Sequence, residues 1–313
     1  MVEASAPGKI ILFGEHAVVY GRPAIAVPLS QLRATAVIQP NPQSGVQLIA
    51  PDLGMSASLQ ETVPDDPLAA AIHQIQRAAN IAQWPDMIVT VSSQIPIASG
   101  LGSGAAITAA ILRALAQYLD LPYLLTDEQI SALTYEVEKI HHGTPSGIDN
   151  TVVAYERPVY FVRRQPQNLI EPFAVGTLLR LLVADTGVSS STKLVVGDVR
   201  RQWEADPSQF EALFSTCGEI AVAARQAIER GDLPEIGQLM TRNHQVLQTM
   251  TVSSLELDRL VQAAQQAGAL GAKLSGAGWG GNMIALVTME TETAVRQALL
   301  QAGARHVLLT TLI

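Results

Sequence analysis

The stretch PIASGLGSGAAITAAILRAL, residues 96–115, decides how this sequence is interpreted. Its glycine and serine residues lead directly into an apolar run that predicts a helix. A helix N-terminus leaves its first N–H groups without intrahelical partners and carries partial positive charge. Glycines let a backbone approach an anion closely, so the stretch predicts either a phosphate-binding loop or a tight strand–helix turn. Alone it does not choose between them, because both the Walker A and the G-x-G-x-x-G spacings are absent.

The composition indicates a mildly acidic chain that can bury a sizeable core. Of its 313 residues, 48% are hydrophobic and 15% are charged, and the formal net charge is −8. It has no basic stripe of the kind that nucleic acid requires, although a local basic pocket for a small anion is compatible with this charge. We find no signal-peptide pattern and no apolar run of ~18 residues that predicts a membrane span, so we expect a cytoplasmic protein.

The cysteine content narrows the chemistry. The single cysteine, Cys217, excludes an intramolecular disulfide and a cysteine-based metal site. Its neighbours, EALFSTCGEIAVAARQAIE, predict a helix. We therefore expect a buried thiol with a structural role.

The hydrophobic pattern predicts an α+β chain in two halves. In the first half it predicts strands in EASAPGKIILF, GRPAIAVPL, RATAVIQP, DMIVTVSSQIP and TVVAYERPVYFVRR, and helices in DPLAAAIHQIQRAANIA, AAITAAILRALAQYL and TDEQISALTYEVEKIHH. In the second half it predicts a strand in LLRLLVADTG and then a long helical region over 191–268. Breaks in that region are expected near Asp206, near Gly231 and over 251–254. The chain then ends in a loop–strand, a helix and a strand.

The segment PGKIILFGEHAVVYG, residues 7–21, places polar groups at both ends of an apolar strand. Lys9 begins the strand, and Glu15 and His16 follow it between apolar neighbours, which predicts burial. Buried charges are expected to be paired or functional. The alternative is ordinary surface charge at the strand ends.

The segment EVEKIHHGTPSGIDN, residues 136–150, carries two carboxylates across a turn rich in glycine and proline. Glu138 lies near a helix end, and Asp149 follows the turn. Such a pair suits a divalent metal and a base for phosphoryl transfer. A solvated helix face followed by a helix-breaking loop is the alternative, and periodicity leaves open whether Glu136 or Glu138 points inward.

A second glycine-rich segment, GAKLSGAGWGGNMIAL, spans residues 271–286. It predicts another loop before a strand, and its alternative is a hairpin-like turn. Two separate glycine loops in one chain make a purely structural explanation less attractive for each of them.

Taken in order, PGKIILFGEH, PIASGLGSGAA and KLSGAGWGGN resemble the motifs of the GHMP kinases, the superfamily of galactokinase, homoserine kinase, mevalonate kinase and phosphomevalonate kinase. Within it, GEHAVVYG, HHGTPSGIDN, DTGVSSSTKLVVGDVR and NHQVLQTMTVSSLELDRLV are most similar to the mevalonate kinase branch. The resemblance implies a two-domain α+β GHMP kinase fold. An ATP-binding half over 1–170, like ribosomal protein S5 domain 2, would contain a left-handed β-α-β unit. A ferredoxin-like half would span 171–313.

The resemblance also implies an activity, with its site in a cleft between the halves. The γ-phosphoryl group of ATP, with Mg²⁺, would pass to the C5 hydroxyl of (R)-mevalonate, a step of isoprenoid biosynthesis. By family analogy a homodimer is plausible. Asp149 matches the base, Lys9 the lysine that pairs with it, and Glu138 the carboxylate that ligates Mg²⁺.

The same resemblance assigns the remaining site residues. ATP phosphates would lie on Ser99, Gly100, Leu101, Gly102, Ser103, Gly104 and Ala105. Mevalonate would contact Lys9, Glu15, His16, Asp149, Ser275 and Gly276.

Two positions depart from the family pattern. Many members have Ser-Ser in the phosphate loop, and the second serine ligates Mg²⁺, whereas this chain has Ser103-Gly104. Water, Ser103 or Thr108 would have to substitute, and we hypothesise that Ser103 contributes to the triphosphate–Mg²⁺ site. Trp279 stands where the third motif usually has glycine, so its indole is expected to pack over the loop or to narrow the pocket.

Other functions compete with this interpretation. A related kinase could act on phosphomevalonate, a sugar or another mevalonate hydroxyl, but a phosphorylated acceptor calls for more basic residues than Arg22 and Lys193 near the pocket. The phosphate loop and the aspartate segment differ from those of the diphosphomevalonate decarboxylases. An inactive sensor is disfavoured by the joint presence of Lys9, Glu138 and Asp149.

Overall fold

The computed structural model describes residues 1–63, 65–96, 100–142 and 145–313, except for the side chains of residues 141 and 142. The chain forms two compact units. The first comprises residues 1–9 and 28–156, and the second comprises 10–27 and 157–313. The sequence predicts a boundary between residues 170 and 171, which separates an ATP-binding domain from a ferredoxin-like domain. That division into functional domains stays a prediction.

The first unit combines a mixed β-sheet with helices. Its elements are parts of β1 (Val2–Phe13) and β2 (Ala24–Pro40), then β3 (Val46–Ala50), β4 (Met55–Ser58), α1 (Pro67–Ala78), β5 (Met87–Ser93), α2 (Ser103–Tyr118), α3 (Asp127–His142) and α4 (Ile148–Tyr155). The strand order is β4–β3–β5–β2, with β3 and β5 parallel and the other pairs antiparallel. The helical predictions for α1, α2 and α3 are confirmed.

Helix starts in this unit follow local chemistry. Asp66 caps α1, since its carboxylate accepts hydrogen bonds from the N–H groups of Leu68 and Ala69. Helix α2 is apolar on most of its surface, and it packs against α1, α3 and α4. Burial on several sides fixes its position, and with it the position of its N-terminus.

The expected strand TVVAYERPVYFVRR is wrong for its first part. Residues Ile148–Tyr155 form α4, and only Val159–Val162 form a strand, β6. The β-branched residues favour a strand locally. Gly147 adopts a φ of 92°, and the helix that follows buries Val152 and Val153, so tertiary packing outweighs that preference.

The second unit contains β6, a four-stranded antiparallel sheet and long helices. Its further elements are β7 (Leu169–Pro172), β8 (Leu179–Asp185), α5 (Thr192–Ala205), α6 (Pro207–Arg230), α7 (Leu233–Thr249), α8 (Leu255–Gln266), β9 (Gly271–Ser275), β10 (Asn282–Val287), α9 (Glu292–Gln301) and β11 (His306–Leu312). The sheet order is β11–β8–β10–β9. Strand β6 pairs with the start of β2 and with β7.

The interruptions expected in the long helical region are confirmed. Asp206 caps α6, Gly231 ends it with a φ of 73°, and the turn over 251–254 separates α7 from α8. Cys217 lies in α6 with no exposed surface, as predicted, and burial raises the pKa of its thiol to about 12.

Across the described ranges, none of the helices combines the length and the apolar character that crossing a membrane requires.

Candidate active site

Lys9 and Asp149 form an ion pair in the first unit. The Lys9 Nζ lies 3.0 Å from the Asp149 Oδ1. Lys9 is buried, at 5% exposure, whereas about a third of the Asp149 side chain is exposed. The backbone N–H of Lys9 also donates to the Leu101 carbonyl, at 2.9 Å. Lys9 therefore connects the carboxylate that begins α4 to the glycine loop before α2.

The glycine loop reaches helix α2 through backbone that requires glycine. Gly100 and Gly102 have φ values of 75° and 76°, in the left-handed region. A Cβ on Gly102 would lie 2.8 Å from the Lys9 Cγ. Gly102 occupies the N-cap position without a capping side chain, and Ser103 and Gly104 begin the helix at the surface. This is a helix N-terminus that offers N–H groups to an anion. Ser99 lies outside the described residues.

Glu138 brings a carboxylate to the same helix end. A Cβ on Gly104 would lie 3.4 Å from the Glu138 Oε1, and the Glu138 side chain is buried. Burial, and then repulsion from Asp149, raises the pKa of Glu138 to about 7, while Lys9 opposes the shift. Glu136 is exposed and pairs with Lys139 at 2.6 Å, so Glu138 is the inward member of the two glutamates.

The donor set fits Mg²⁺ bound together with phosphates. Mg²⁺ usually takes one or two carboxylates and completes its shell with substrate phosphates and water. Among the residues described, no three His, Cys, Asp or Glu side chains converge on a metal position. Glu138 and Asp149 at a helix N-terminus match the open type of site. Ser103 is partly exposed at this end, whereas Thr108, one turn further, is buried at 2% exposure.

The second unit holds Glu15 and His16 in a strained turn after β1. Both side chains are buried, and His16 has a φ of 60°. Burial lowers the pKa of His16 to about 4, so the imidazole is neutral near pH 7. Its Nε2 lies 2.8 Å from the Ala277 carbonyl, which can only accept, so Nε2 carries the proton.

The second glycine-rich segment joins β9 to β10, which are antiparallel, so the hairpin-like connection that was the alternative for this segment is present. Close packing also explains why two positions of this segment are glycine. A Cβ on Gly278 would lie 2.0 Å from the Val252 carbonyl oxygen, and one on Gly280 would lie 2.4 Å from that of Val188. Gly276 has a φ of 98°, and a Cβ built on it would lie in open space, with no described atom of another residue within 4 Å apart from its chain neighbours. The Ser275 hydroxyl donates to the Ile11 carbonyl, at 2.7 Å.

Trp279 anchors this segment. Its indole N–H donates to the Thr251 carbonyl at 2.9 Å, and its backbone N–H donates to the Val252 carbonyl at 2.8 Å. The indole packs, partly buried, against the core of the second unit. The indole therefore contacts the 251–254 turn and the core, and its two expected effects on the loop and the pocket stay predictions.

The sequence interpretation did not identify one buried charged residue. Lys273, in β9, has no exposed surface and pairs with Glu15. The available signal was a lysine inside the apolar strand GAKLS. Its partner lies 258 positions away, so the sequence alone gave no means of pairing them.

Two family descriptions and many known proteins match this chain. The family description "GHMP kinases N terminal domain" matches residues 67–157, and "GHMP kinases C terminal" matches residues 224–306. The chain is 37% identical to the mevalonate kinase of Pyrococcus abyssi, over 95% of this chain and 93% of that one.

Solved structures show the same relationship. The L. major mevalonate kinase in complex with R-mevalonate has a TM-score of 0.85 at 31% identity, covering 100% of this chain and 96% of that one. A Streptococcus pneumoniae phosphomevalonate kinase also has a TM-score of 0.85, covering 100% of both chains, but at 17% identity, which indicates a shared fold alone.

Proposed function

Because this chain belongs to the GHMP kinases and, within them, to the mevalonate kinase family, we propose that it transfers the γ-phosphoryl group of ATP to the C5 hydroxyl of (R)-mevalonate. The observation that carries the proposal is the convergence of Lys9, Asp149 and Glu138 on the N-terminus of α2. We also propose that the reaction occurs in the cytoplasm as a step of isoprenoid biosynthesis. A homodimer stays an expectation.

Asp149 is proposed as the base. A primary alcohol is a weak nucleophile near pH 7, so a carboxylate that accepts its proton lowers the barrier. The hydroxyl oxygen forms a bond to the γ-phosphorus, the bond between that phosphorus and the bridging oxygen breaks, and ADP leaves. The proton goes to Asp149. Lys9, 3.0 Å from this carboxylate, would stabilise negative charge near the attacking oxygen.

The N-terminus of α2 is proposed to bind the ATP phosphates. Gly100 and Gly102 would let the backbone approach the phosphates closely, and the N–H groups at the start of the helix would donate hydrogen bonds to the phosphate oxygens. The remaining expected residues of the loop, Leu101, Ser103, Gly104 and Ala105, surround this helix start, and Ser99 precedes it. Phosphoryl transfer depends chiefly on such positioning and charge stabilisation.

Glu138 is proposed to hold Mg²⁺, with Ser103 contributing to the same site. When bound, the ion supplies positive charge that neutralises the triphosphate. The buried Glu138 carboxylate supports this assignment, because a cation favours its ionised form against burial and against Asp149.

Glu15, His16, Ser275 and Gly276 are proposed to bind mevalonate together with Lys9 and Asp149. The support lies in how firmly the second unit holds them. His16 and Ser275 each hydrogen-bond to a backbone carbonyl, and Gly276 leaves open space where a side chain would stand.

A coupled ADP-release assay with Mg²⁺ and ATP tests the proposal. The acceptor panel is mevalonate, 5-phosphomevalonate, galactose and homoserine, and NMR reads the position of the new phosphate. We expect turnover of mevalonate with phosphate on C5. Turnover of another acceptor instead would refute the proposed acceptor.

Asp149→Asn separates the catalytic assignment from the acceptor assignment. We expect kcat to fall by about 10²- to 10⁴-fold, because the amide cannot take the proton. Nucleotide binding, measured by fluorescence titration, should persist. A variant with undiminished kcat would remove Asp149 from the role of base.

A further inference from the structure

Three side-chain hydrogen bonds join the segment 11–16 to the segment 273–277 within the second unit. The Ser275 hydroxyl donates to the Ile11 carbonyl, and His16 donates to the Ala277 carbonyl. The third bond runs from the Lys273 ammonium to the Glu15 carboxylate. The segments are more than 250 positions apart in the chain, so these bonds hold the turn bearing Glu15 and His16 against the second glycine-rich segment.

The Lys273–Glu15 bond differs from the other two because both partners are ionic and buried. Lys273 has no exposed surface and Glu15 has 1%. Lysine is almost never fully buried unless it is paired. The Lys273 Nζ also donates to the Leu274 carbonyl, at 2.7 Å. The pair is therefore enclosed in the unit's interior rather than placed at a solvated edge.

The other titratable groups around Lys273 do not replace Glu15 as its counter-ion. Cys217 on α6 has a thiol whose pKa is raised to about 12. His244 on α7 accepts a hydrogen bond from the Leu274 N–H at 3.3 Å, and burial lowers its pKa to about 4. Asp258 on α8 pairs with His244, at 3.1 Å. Both Cys217 and His244 are neutral near pH 7, so Glu15 supplies the negative charge.

Buried ion pairs contribute little net stability, because desolvation of both ions opposes their attraction. An apolar pair of similar volume would serve a purely structural purpose equally well. We propose that Lys273 is a positioning residue for the acceptor site: by binding Glu15 it fixes the orientation of the adjacent His16 and so sets the affinity for mevalonate. This inference rests on the function proposed above.

The geometry explains why the turn needs such a restraint. His16 has a φ of 60°, a conformation that a residue with a side chain adopts only when its surroundings impose it. Gly14, directly before Glu15, has a φ of 89°, and a Cβ there would lie 2.4 Å from the Pro23 carbonyl oxygen. The ion pair and the His16–Ala277 bond are two further contacts that hold this turn.

Lys273→Met and Glu15→Gln test the pair through opposite pH slopes of thermal stability. Lys273→Met leaves a buried carboxylate without its counter-ion, and burial raises the pKa of such a group, so the destabilisation relative to the parent chain should grow as the pH rises above about 4.3, the ordinary pKa of glutamate. Glu15→Gln leaves a buried ammonium whose pKa is lowered, so its destabilisation should grow as the pH falls. Parallel slopes, or none, would overturn the pair's role.

Steady-state kinetics of Lys273→Met test the positioning. We expect the KM for mevalonate to rise roughly tenfold or more, with the KM for ATP within about twofold of the parent value. Leu299→Ala, on α9, is the matched control, because it removes buried volume from the core cluster of the same unit, to which no residue of the 11–16 turn belongs. An unchanged KM for mevalonate, or an equal rise in Leu299→Ala, would overturn the proposal.

A double variant distinguishes loss of positioning from misfolding. Glu15→Leu/Lys273→Met replaces the ion pair by two apolar side chains, so it should unfold near the parent temperature while its KM for mevalonate stays raised. A parental KM in the double variant would overturn the positioning role. Absence of mevalonate turnover in the parent chain would refute the proposed function, and the pH slopes of stability would still report on the ion pair separately.

Discussion

Gly102→Ala tests whether the glycine loop and the catalytic lysine form one unit. The substitution retains a backbone at φ 76°, which costs about 1–2 kcal/mol for a residue with a side chain. The new Cβ would lie 2.8 Å from the Lys9 Cγ and 3.3 Å from its Cε. The first distance is roughly 1 Å below the optimal separation of two carbon atoms, so the Lys9 side chain has to move.

That movement is large on the scale of the Lys9–Asp149 contact. The contact measures 3.0 Å, and a shift of about 1 Å takes it out of hydrogen-bond range. Misplacement of a catalytic group by this distance lowers kcat by about a hundredfold. We therefore expect kcat of Gly102→Ala to fall by about two orders of magnitude in the ADP-release assay, with a loss of about 1–2 kcal/mol in unfolding free energy.

Gly54→Ala is the matched control for backbone strain. Gly54 has a φ of 61° in the same unit, and a Cβ there meets no described atom within 4 Å. It should lose a similar unfolding free energy and keep the parental kcat. A normal kcat in Gly102→Ala, or an equal loss of kcat in Gly54→Ala, would refute the argument.

Three further variants test single assignments. Glu138→Gln should raise the Mg²⁺ concentration needed for half-maximal activity, whereas the exposed Glu136→Gln should not; equal titrations would contradict the metal assignment. In the folded protein the pKa of Glu138 is about 7, which is above the ordinary glutamate value of 4.5. The ionised form of Glu138 therefore destabilises the fold. Glu138→Gln should therefore unfold like the parent at low pH and gain up to about 3 kcal/mol above about pH 7 without Mg²⁺, measured by thermal unfolding. Ser103→Ala should lower kcat and raise the Mg²⁺ requirement; unchanged values would remove Ser103 from the site. Trp279→Phe should lose about 1 kcal/mol of unfolding free energy with its bond to Thr251 and leave the acceptor preference unchanged, and a changed preference in the panel assay would show that the indole lines the pocket.

The sequence predicted well those features that depend on local chemistry. Asp66, Asp206 and Gly231 mark helix ends by capping and by positive φ, and these rules act within a few residues. The resemblance to the GHMP kinases placed Lys9 with Asp149, and the structure has them in contact. The catalytic and binding roles themselves remain predictions.

Features that depend on distant packing were not predictable in this way. The segment after Gly147 has strand-forming residues, yet burial of Val152 and Val153 makes it helical. Glu136 and Glu138 are equivalent by local pattern, and only the burial of one side chain distinguishes them. Lys273 offered a weaker signal still, since its role depends on a partner at the other end of the chain.

The burial of Cys217 makes this chain suitable for site-specific labelling with fluorescent dyes or spin labels. It is the single cysteine, it has no exposed surface, and its pKa of about 12 leaves almost no thiolate near pH 7. Thiol-directed dyes and spin labels should therefore ignore the native residue. A cysteine introduced at Leu255, whose exposure is 84%, would be labelled selectively in an otherwise unaltered chain. Pairs of such positions would give interprobe distances between the two compact units, with and without nucleotide, without first preparing a cysteine-free background.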